Sequence, residues 1–195
     1  MAYAIGCQGR LVFAPIKRVG LHLLTFPDVS TAARIASLAW RCRRECGLSA
    51  KPLPTSRFHV SLLSFGEFDE RETAEALAVR ARDALANFSA GPFVVMLDRV
   101  ESFSGRDDRY ALVLRGGDGV VGLEMLYQKL GIAMRWAGLK LPLNFTPHLT
   151  LSYDNCRIKE RFVQPISWTV REFELVLSLV GEIKYDVLGR WQLRG

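Results

Sequence analysis

Two of the chain's three histidines sit in the same local pattern. His59-Val60-Ser61-Leu62 and His148-Leu149-Thr150-Leu151 both read imidazole, apolar, hydroxyl, apolar. On an extended strand successive side chains point to opposite faces. Each histidine therefore shares its face with the hydroxyl two residues on, and Val60, Leu62, Leu149 and Leu151 turn to the core. Imidazole titrates near pH ~6.5, so at neutral pH one ring can act as base while its partner acts as acid. Two rings on opposite sides of a phosphorus atom can deprotonate an incoming water and protonate a departing ribose oxygen in line, each transfer contributing about 10²–10⁴-fold. The paired hydroxyls can donate hydrogen bonds to the non-bridging oxygens and stabilise their charge without a metal. This is the chemistry of phosphoryl transfer at an ester. His22, in His22-Leu23-Leu24, has no such hydroxyl and reads as structural.

The elements that must carry these groups follow from periodicity and punctuation. Leu21 to Phe26 reads as a buried strand ended by Pro27. Ser30 is the expected N-cap of a helix running to about Glu45 and closed by Gly47. A connector with two prolines leads into a strand, Arg57 to Phe65. Asp69-x-x-Glu72 reads as a capping box ahead of an apolar stripe of Ala74, Leu77, Ala78, Ala81, Leu85 and Phe88. Phe93 to Val100 and Tyr110 to Leu114 form an expected hairpin. Asp118 is the expected cap of a third helix, with Leu123, Leu126, Tyr127, Leu130 and Ala137 on its stripe. A proline-bearing connector then leads to the strand His148–Tyr153. Further strands fall around Ile166–Val170, Phe173–Ser178 and Lys184–Leu193. The order helix, proline-bearing connector, histidine strand thus occurs twice, over residues 30–65 and 118–153. Strands come in groups rather than alternating strictly with helices, which favours α+β with antiparallel pairing. Residues 1–17 show no convincing period and read as an added strand or an arm.

Bulk properties agree with this reading. A chain of 195 residues favours one domain, or two lobes sharing a core. Its net charge of +6, from 26 Lys and Arg against 20 Asp and Glu, suits an anionic partner such as a phosphate ester, RNA or a nucleotide. The cysteines at 7, 42, 46 and 156 make no C-x-x-C pair. Cys42 and Cys46 continue a stripe with Ile35 and Ala39, as small core residues do, and no histidine is close enough in sequence to complete a zinc pattern. Such cysteine usage suits a reducing cytoplasm. No apolar run approaches the ~20 residues of a membrane span, and the N-terminus lacks the order of regions of a signal peptide. The expectation is a soluble cytoplasmic monomer with no cofactor, no metal and no membrane partner.

The flanks of the two histidine units carry a resemblance. Pro54-Thr55-Ser56-Arg57-Phe58-His59-Val60-Ser61-Leu62-Leu63-Ser64-Phe65-Gly66 is similar to the His-x-Thr-Leu-x-Phe-Leu-Gly stretch of the two-histidine (2H) phosphoesterases, in particular the RNA 2',3'-cyclic phosphodiesterases also named 2'-5' RNA ligases. Phe145-Thr146-Pro147-His148-Leu149-Thr150-Leu151 resembles their Pro-His-x-Thr-Leu motif, and the tail from Phe173 to Trp191 resembles their closing strands. The resemblance covers about residues 20–193. It implies a single two-lobed domain of two pseudo-symmetric lobes, each an antiparallel sheet backed by helices, with the site in a central groove. It implies His59 and His148 as the acid–base pair, with His59 as acid and His148 as base, and Ser61 and Thr150 as phosphate ligands. The implied partners are RNA or oligonucleotide ends and cyclic nucleotides. The implied reaction opens a 2',3'-cyclic phosphate to a 2'-phosphate, with 2'-5' ligation as its reverse. Two departures stand out. Ser61 replaces the commoner Thr and keeps the hydroxyl. Tyr153 stands where an Arg often follows the second motif, leaving Arg57, Arg106 or Lys140 as possible replacements for that cation. Phe65 and Tyr153 are candidate platforms for a base. The reading from a different class is a nucleotide- or RNA-binding module that keeps the groove without turnover.

Overall fold

The computed structural model describes residues 18–105, 109–139, 144–179 and 185–194, together with the backbone of two short strands near the N-terminus. Those two, β1 (Ala4–Ile5) and β2 (Leu11–Val12), pair with each other. The main elements are β3 (Val19–Thr25), α1 (Val29–Glu45), β4 (Val60–Phe68), α2 (Arg71–Ala84), β5 (Phe93–Ser104), β6 (Tyr110–Arg115), α3 (Val121–Trp136), β7 (His148–Asp154), β8 (Arg161–Val170), β9 (Glu172–Leu179) and β10 (Tyr185–Gln192).

Eight strands form a sheet in the order β10-β9-β3-β4-β7-β6-β5-β8, antiparallel at every pairing. The expected α+β class with antiparallel pairing is therefore what the chain adopts. Its two halves, β10-β9-β3-β4 and β7-β6-β5-β8, are not separate sheets. They are stitched at the centre by one residue pair, Val60 with Leu149. The repeat seen in the sequence maps onto this seam. Helix α1 lies between β3 and β4 in the chain, α3 lies between β6 and β7, and the seam strands are the two that follow the helices.

The local starts and stops differ in instructive ways. The cap of helix α1 lies two residues before the expected one. Asp28, directly after Pro27, accepts from Thr31 N at 2.9 Å, from Thr31 Oγ1 at 2.8 Å and from Ser30 Oγ at 2.6 Å. A carboxylate is the stronger acceptor, so Ser30 becomes its donor and the Asp28 carboxyl is held down at about 2 by these bonds. The stop is the expected one: Gly47 adopts φ +64°, and Leu48 N donates to Arg43 O at 3.0 Å. The Asp69–Glu72 capping box does not form. The cap position of α2 is Glu70 without a side-chain bond, because Asp69 instead pairs with Arg18 at 3.3 Å. Asp118 starts a short 3₁₀ turn, Asp118–Val120, that leads into α3 without a side-chain cap.

Burial follows the expected stripes. Ile35, Leu38, Ala39 and Cys42 of α1, Ala74, Ala78 and Ala81 of α2, and Leu123, Leu126, Leu130 and Met134 of α3 all lie in the core. Cys42 is thus a small core residue, its sulfur 3.7 Å from the Arg161 guanidinium. Among the described residues, no helix is long and apolar enough to cross a membrane.

Candidate active site

The sequence places His59 inside a strand; in the structure it stands just ahead of one. Thr55–Arg57 forms a 3₁₀ turn after Pro54, and β4 starts at Val60. His148 is the first residue of β7. The two histidines therefore occupy equivalent places at the mouths of the seam strands, each one residue before a member of the Val60–Leu149 pair. Val60, Leu62, Leu149 and Leu151 are all buried, as expected, so His59, Ser61, His148 and Thr150 share the opposite face. Carrying the antiparallel register one residue to either side of the pair sets His59 across from Thr150 and Ser61 across from His148. That register sets each histidine position opposite the hydroxyl position of the other motif. The two histidines become diagonal neighbours, which stand about 7–8 Å apart in a regular ladder.

The backbone fixes both rings in the same way. His59 Nδ1 lies 2.7 Å from Arg57 O, and His148 Nδ1 lies 2.7 Å from Thr146 O. A carbonyl oxygen only accepts, so in each ring Nδ1 carries the proton and donates it two residues back. Nε2 of each neutral ring is left as the site that takes or gives a proton.

The surroundings of the rings differ. His59 is half-buried, with Phe26 at 6.3 Å and Tyr185 at 5.8 Å between ring centroids. Burial pushes its proton affinity down to about 4. The bond to Arg57 O works against this, and the charges of Arg57, His22 and His148 add to it. His148 packs edge-on to Phe103 at 5.1 Å. Its cross-strand partner is Arg115, which is held by Glu101 at 2.9 Å and Glu160 at 3.1 Å.

Other sequence candidates fall into place around this frame. Arg57 leaves the 3₁₀ turn with its guanidinium 4.9 Å from the centroid of Tyr185. Tyr153 is 44% exposed. It shares a face with Thr150 because β7 bulges there: Val113 pairs with Thr150 and Leu112 with Ser152, so Leu151 and Ser152 both turn inward. Phe65 packs half-buried against the hydrophobic core. Arg106 and Lys140 lie outside the described residues. His22, read as structural, is largely buried on β3, and burial lowers its proton affinity. Phe26, Phe103, Arg115 and Tyr185 escaped the sequence reading. Each reaches the site through a cross-strand or loop contact that carries no local signal. A concavity of about 830 Å³ between α2 and α3, lined by Arg80, Lys129 and Trp136 among others, contains none of these groups. The convergent chemistry lies over the seam instead. Among the described residues no cluster of three His, Cys, Asp or Glu side chains is arranged to hold a metal ion.

Comparison with known proteins places this geometry. The family model of the 2'-5' RNA ligase superfamily matches residues 27–182, a span that contains both histidine units and the seam. The chain belongs to the 2'-5' RNA ligase superfamily. Among solved structures it is similar to TT0787 of Thermus thermophilus, with 24% identity, a TM-score of 0.65 and coverage of 90% of this chain and 98% of that one. It is also similar to Escherichia coli LigT in its apo form, with 23% identity, a TM-score of 0.63 and coverage of 92% and 99%. A third neighbour, described as a phosphoesterase, has 21% identity, a TM-score of 0.64 and coverage of 90% and 99%. At these identities the likeness is one of fold. LigT has been solved in complex with 3'-AMP and with phosphate. No curated protein sequence matches this chain. Membership of the superfamily carries phosphodiesterase-type activity.

Proposed function

We propose that this 2'-5' RNA ligase superfamily member is a metal-independent phosphodiesterase that opens a 2',3'-cyclic phosphate on RNA, an oligonucleotide or a nucleotide to a 2'-phosphate. The observation that carries the reading is the pair of backbone-locked imidazoles at the mouths of the two seam strands, each sharing its face with the hydroxyl two residues on. Ser61 and Thr150 donate to the non-bridging oxygens of the phosphate. His148 Nε2 takes a proton from water as its oxygen bonds to phosphorus, and His59 Nε2 gives a proton to O3' as the P–O3' bond breaks. The acid role suits His59. The burial that keeps it neutral before substrate binds makes its imidazolium the stronger donor once an anionic phosphate has drawn a proton onto it. With a 5'-hydroxyl in place of water, the same displacement forms a 2'-5' linkage. Arg57 and Tyr153 flank the groove as substrate contacts. The net charge of +6 favours approach of a polyanion. The protein acts as a cytoplasmic monomer.

The deciding assay offers an oligonucleotide ending in a 2',3'-cyclic phosphate, in EDTA. Turnover should persist, yield the 2'-phosphate, and disappear in His59→Ala and in His148→Ala. Turnover indifferent to either change, or dependent on added metal, refutes the proposal. Binding without hydrolysis across a wide pH range would point to a binding module instead.

A further inference from the structure

We infer that Tyr185, from the far strand β10, is the positioning residue that holds both His59 and Arg57 in working order, and that Arg57 so held is the cation facing the phosphate. The inference rests on the phosphodiesterase reading for its substrate but on geometry for its mechanics. The Tyr185 hydroxyl lies 3.2 Å from His59 Nδ1. Since that nitrogen already donates to Arg57 O at 2.7 Å, the phenol oxygen is its second acceptor. The two acceptors fork the Nδ1 proton and hold the ring against rotation about its Cβ–Cγ bond. Tyr185 also meets the His59 ring edge-on, at 86° between planes, and Phe26 backs both rings at 6.2 and 6.3 Å. The face of the phenol carries Arg57, whose guanidinium sits 4.9 Å from the ring centroid.

One tyrosine therefore ties an imidazole to an arginine. Arg57 contributes to the ring of His59 twice, through its carbonyl as acceptor and through its charge. That charge lies beside the first histidine unit, whereas the superfamily resemblance places an arginine after the second, where this chain has Tyr153. At His148 the aromatic neighbour is Phe103, which has no hydroxyl to offer. The two halves of the sheet are thus alike in backbone and unlike in what holds their imidazoles. Burial raises the Tyr185 phenol above its ordinary range, so it stays neutral and keeps its proton.

The test separates hydroxyl from ring. Tyr185→Phe keeps the platform under Arg57 and removes only the second acceptor. It should lower kcat about tenfold, the size expected for one hydrogen bond to a charged group, with KM on the cyclic-phosphate oligonucleotide nearly unchanged. Followed by NMR without substrate, His59 should also titrate lower, since its imidazolium has lost an acceptor. Tyr185→Leu removes the platform as well and should raise KM to the level of Arg57→Ala. The double variant should be no worse in KM than either single one. A Tyr185→Phe protein whose His59 titration and kcat both match the wild type overturns the positioning role. Additive KM effects in the double variant overturn the link to Arg57. If the wild type does not cleave the cyclic phosphate, the functional reading fails, while the NMR titration still decides whether Tyr185 holds His59.

Discussion

Replacing His59 with Asn should remove a pH dependence of stability that the wild type carries between pH 7 and pH 4. In the native protein His59 gains a proton only near pH 4, against about 6.5 for a free imidazole. The depressed value means the unfolded chain binds this proton first on acidification. Stability is full above the unfolded value and is lost as pH falls from about 6.5 toward 4, levelling off below that. At about 1.4 kcal/mol per pH unit, the two-and-a-half-unit separation corresponds to about 3 kcal/mol. A loss of this size is a large part of the 5–15 kcal/mol that typically holds a domain folded. The assay is urea unfolding followed by tryptophan fluorescence at half-unit steps, in buffers free of phosphate and sulfate. The wild-type-minus-variant difference should shrink by about 3 kcal/mol from pH 7 to pH 4. His22, depressed in the same direction, remains in both proteins and cancels. Parallel curves across that window would refute the claim that burial sets the protonation of His59. Added phosphate should make the wild-type loss smaller, because an anion beside the ring favours its charged form.

Other outcomes follow from neighbouring contacts. Arg57→Ala removes a positive charge but leaves the backbone carbonyl in place, so NMR should show His59 titrating at higher pH than in the wild type. The kcat/KM profile on a cyclic-phosphate oligonucleotide should be bell-shaped, with its acid limb displaced toward 4 because the free protein sets that limb. Ser61→Ala and Thr150→Ala should each lower kcat by about 10²-fold, as loss of an oxyanion donor does, whereas Ser61→Thr should retain activity. Asp28→Ala should cost about 1 kcal/mol in urea unfolding at neutral pH. That cost should fade as pH drops from about 4 through about 2, since a depressed carboxyl stabilises only while ionised.

What the sequence revealed about this site, and what it hid, divides by the range of the interactions. The period-2 alternation around His59 and His148 is local, so the shared face of histidine and hydroxyl could be read directly, along with the burial of Val60 and Leu149 between them. The helix starts were legible to within two residues, but α2 stops at Ala84, short of the expected stripe through Leu85 and Phe88. Asp28 and Ser30 are both good caps, and only the competition between them in space made the serine a donor. Asp69 was lost to its box because Arg18, far off in sequence, claimed it. The clamps on the two imidazoles lay in the backbone rather than in residue identities. Arg57 and Thr146 differ chemically, yet each offers the same carbonyl to a histidine two residues on. Tyr185 was invisible as a site residue because 126 positions separate it from His59. The chain's two half-sheets became one through a single residue pair, too small a feature for periodicity to register.

That seam has the form of an isologous interface drawn inside one polypeptide. Val60 meets Leu149, and the two histidine motifs run past that pair in opposite directions, as residues do across the two-fold axis of a symmetric dimer. Neither half holds a complete anion cradle alone, since the hydroxyl opposite each ring belongs to the other half. Cutting the chain between α2 and β5 would therefore part His59 and Ser61 from His148 and Thr150, while β9 and β10 of the first half-sheet stayed on the second fragment, so the pieces would be inert apart and competent only on reassociation.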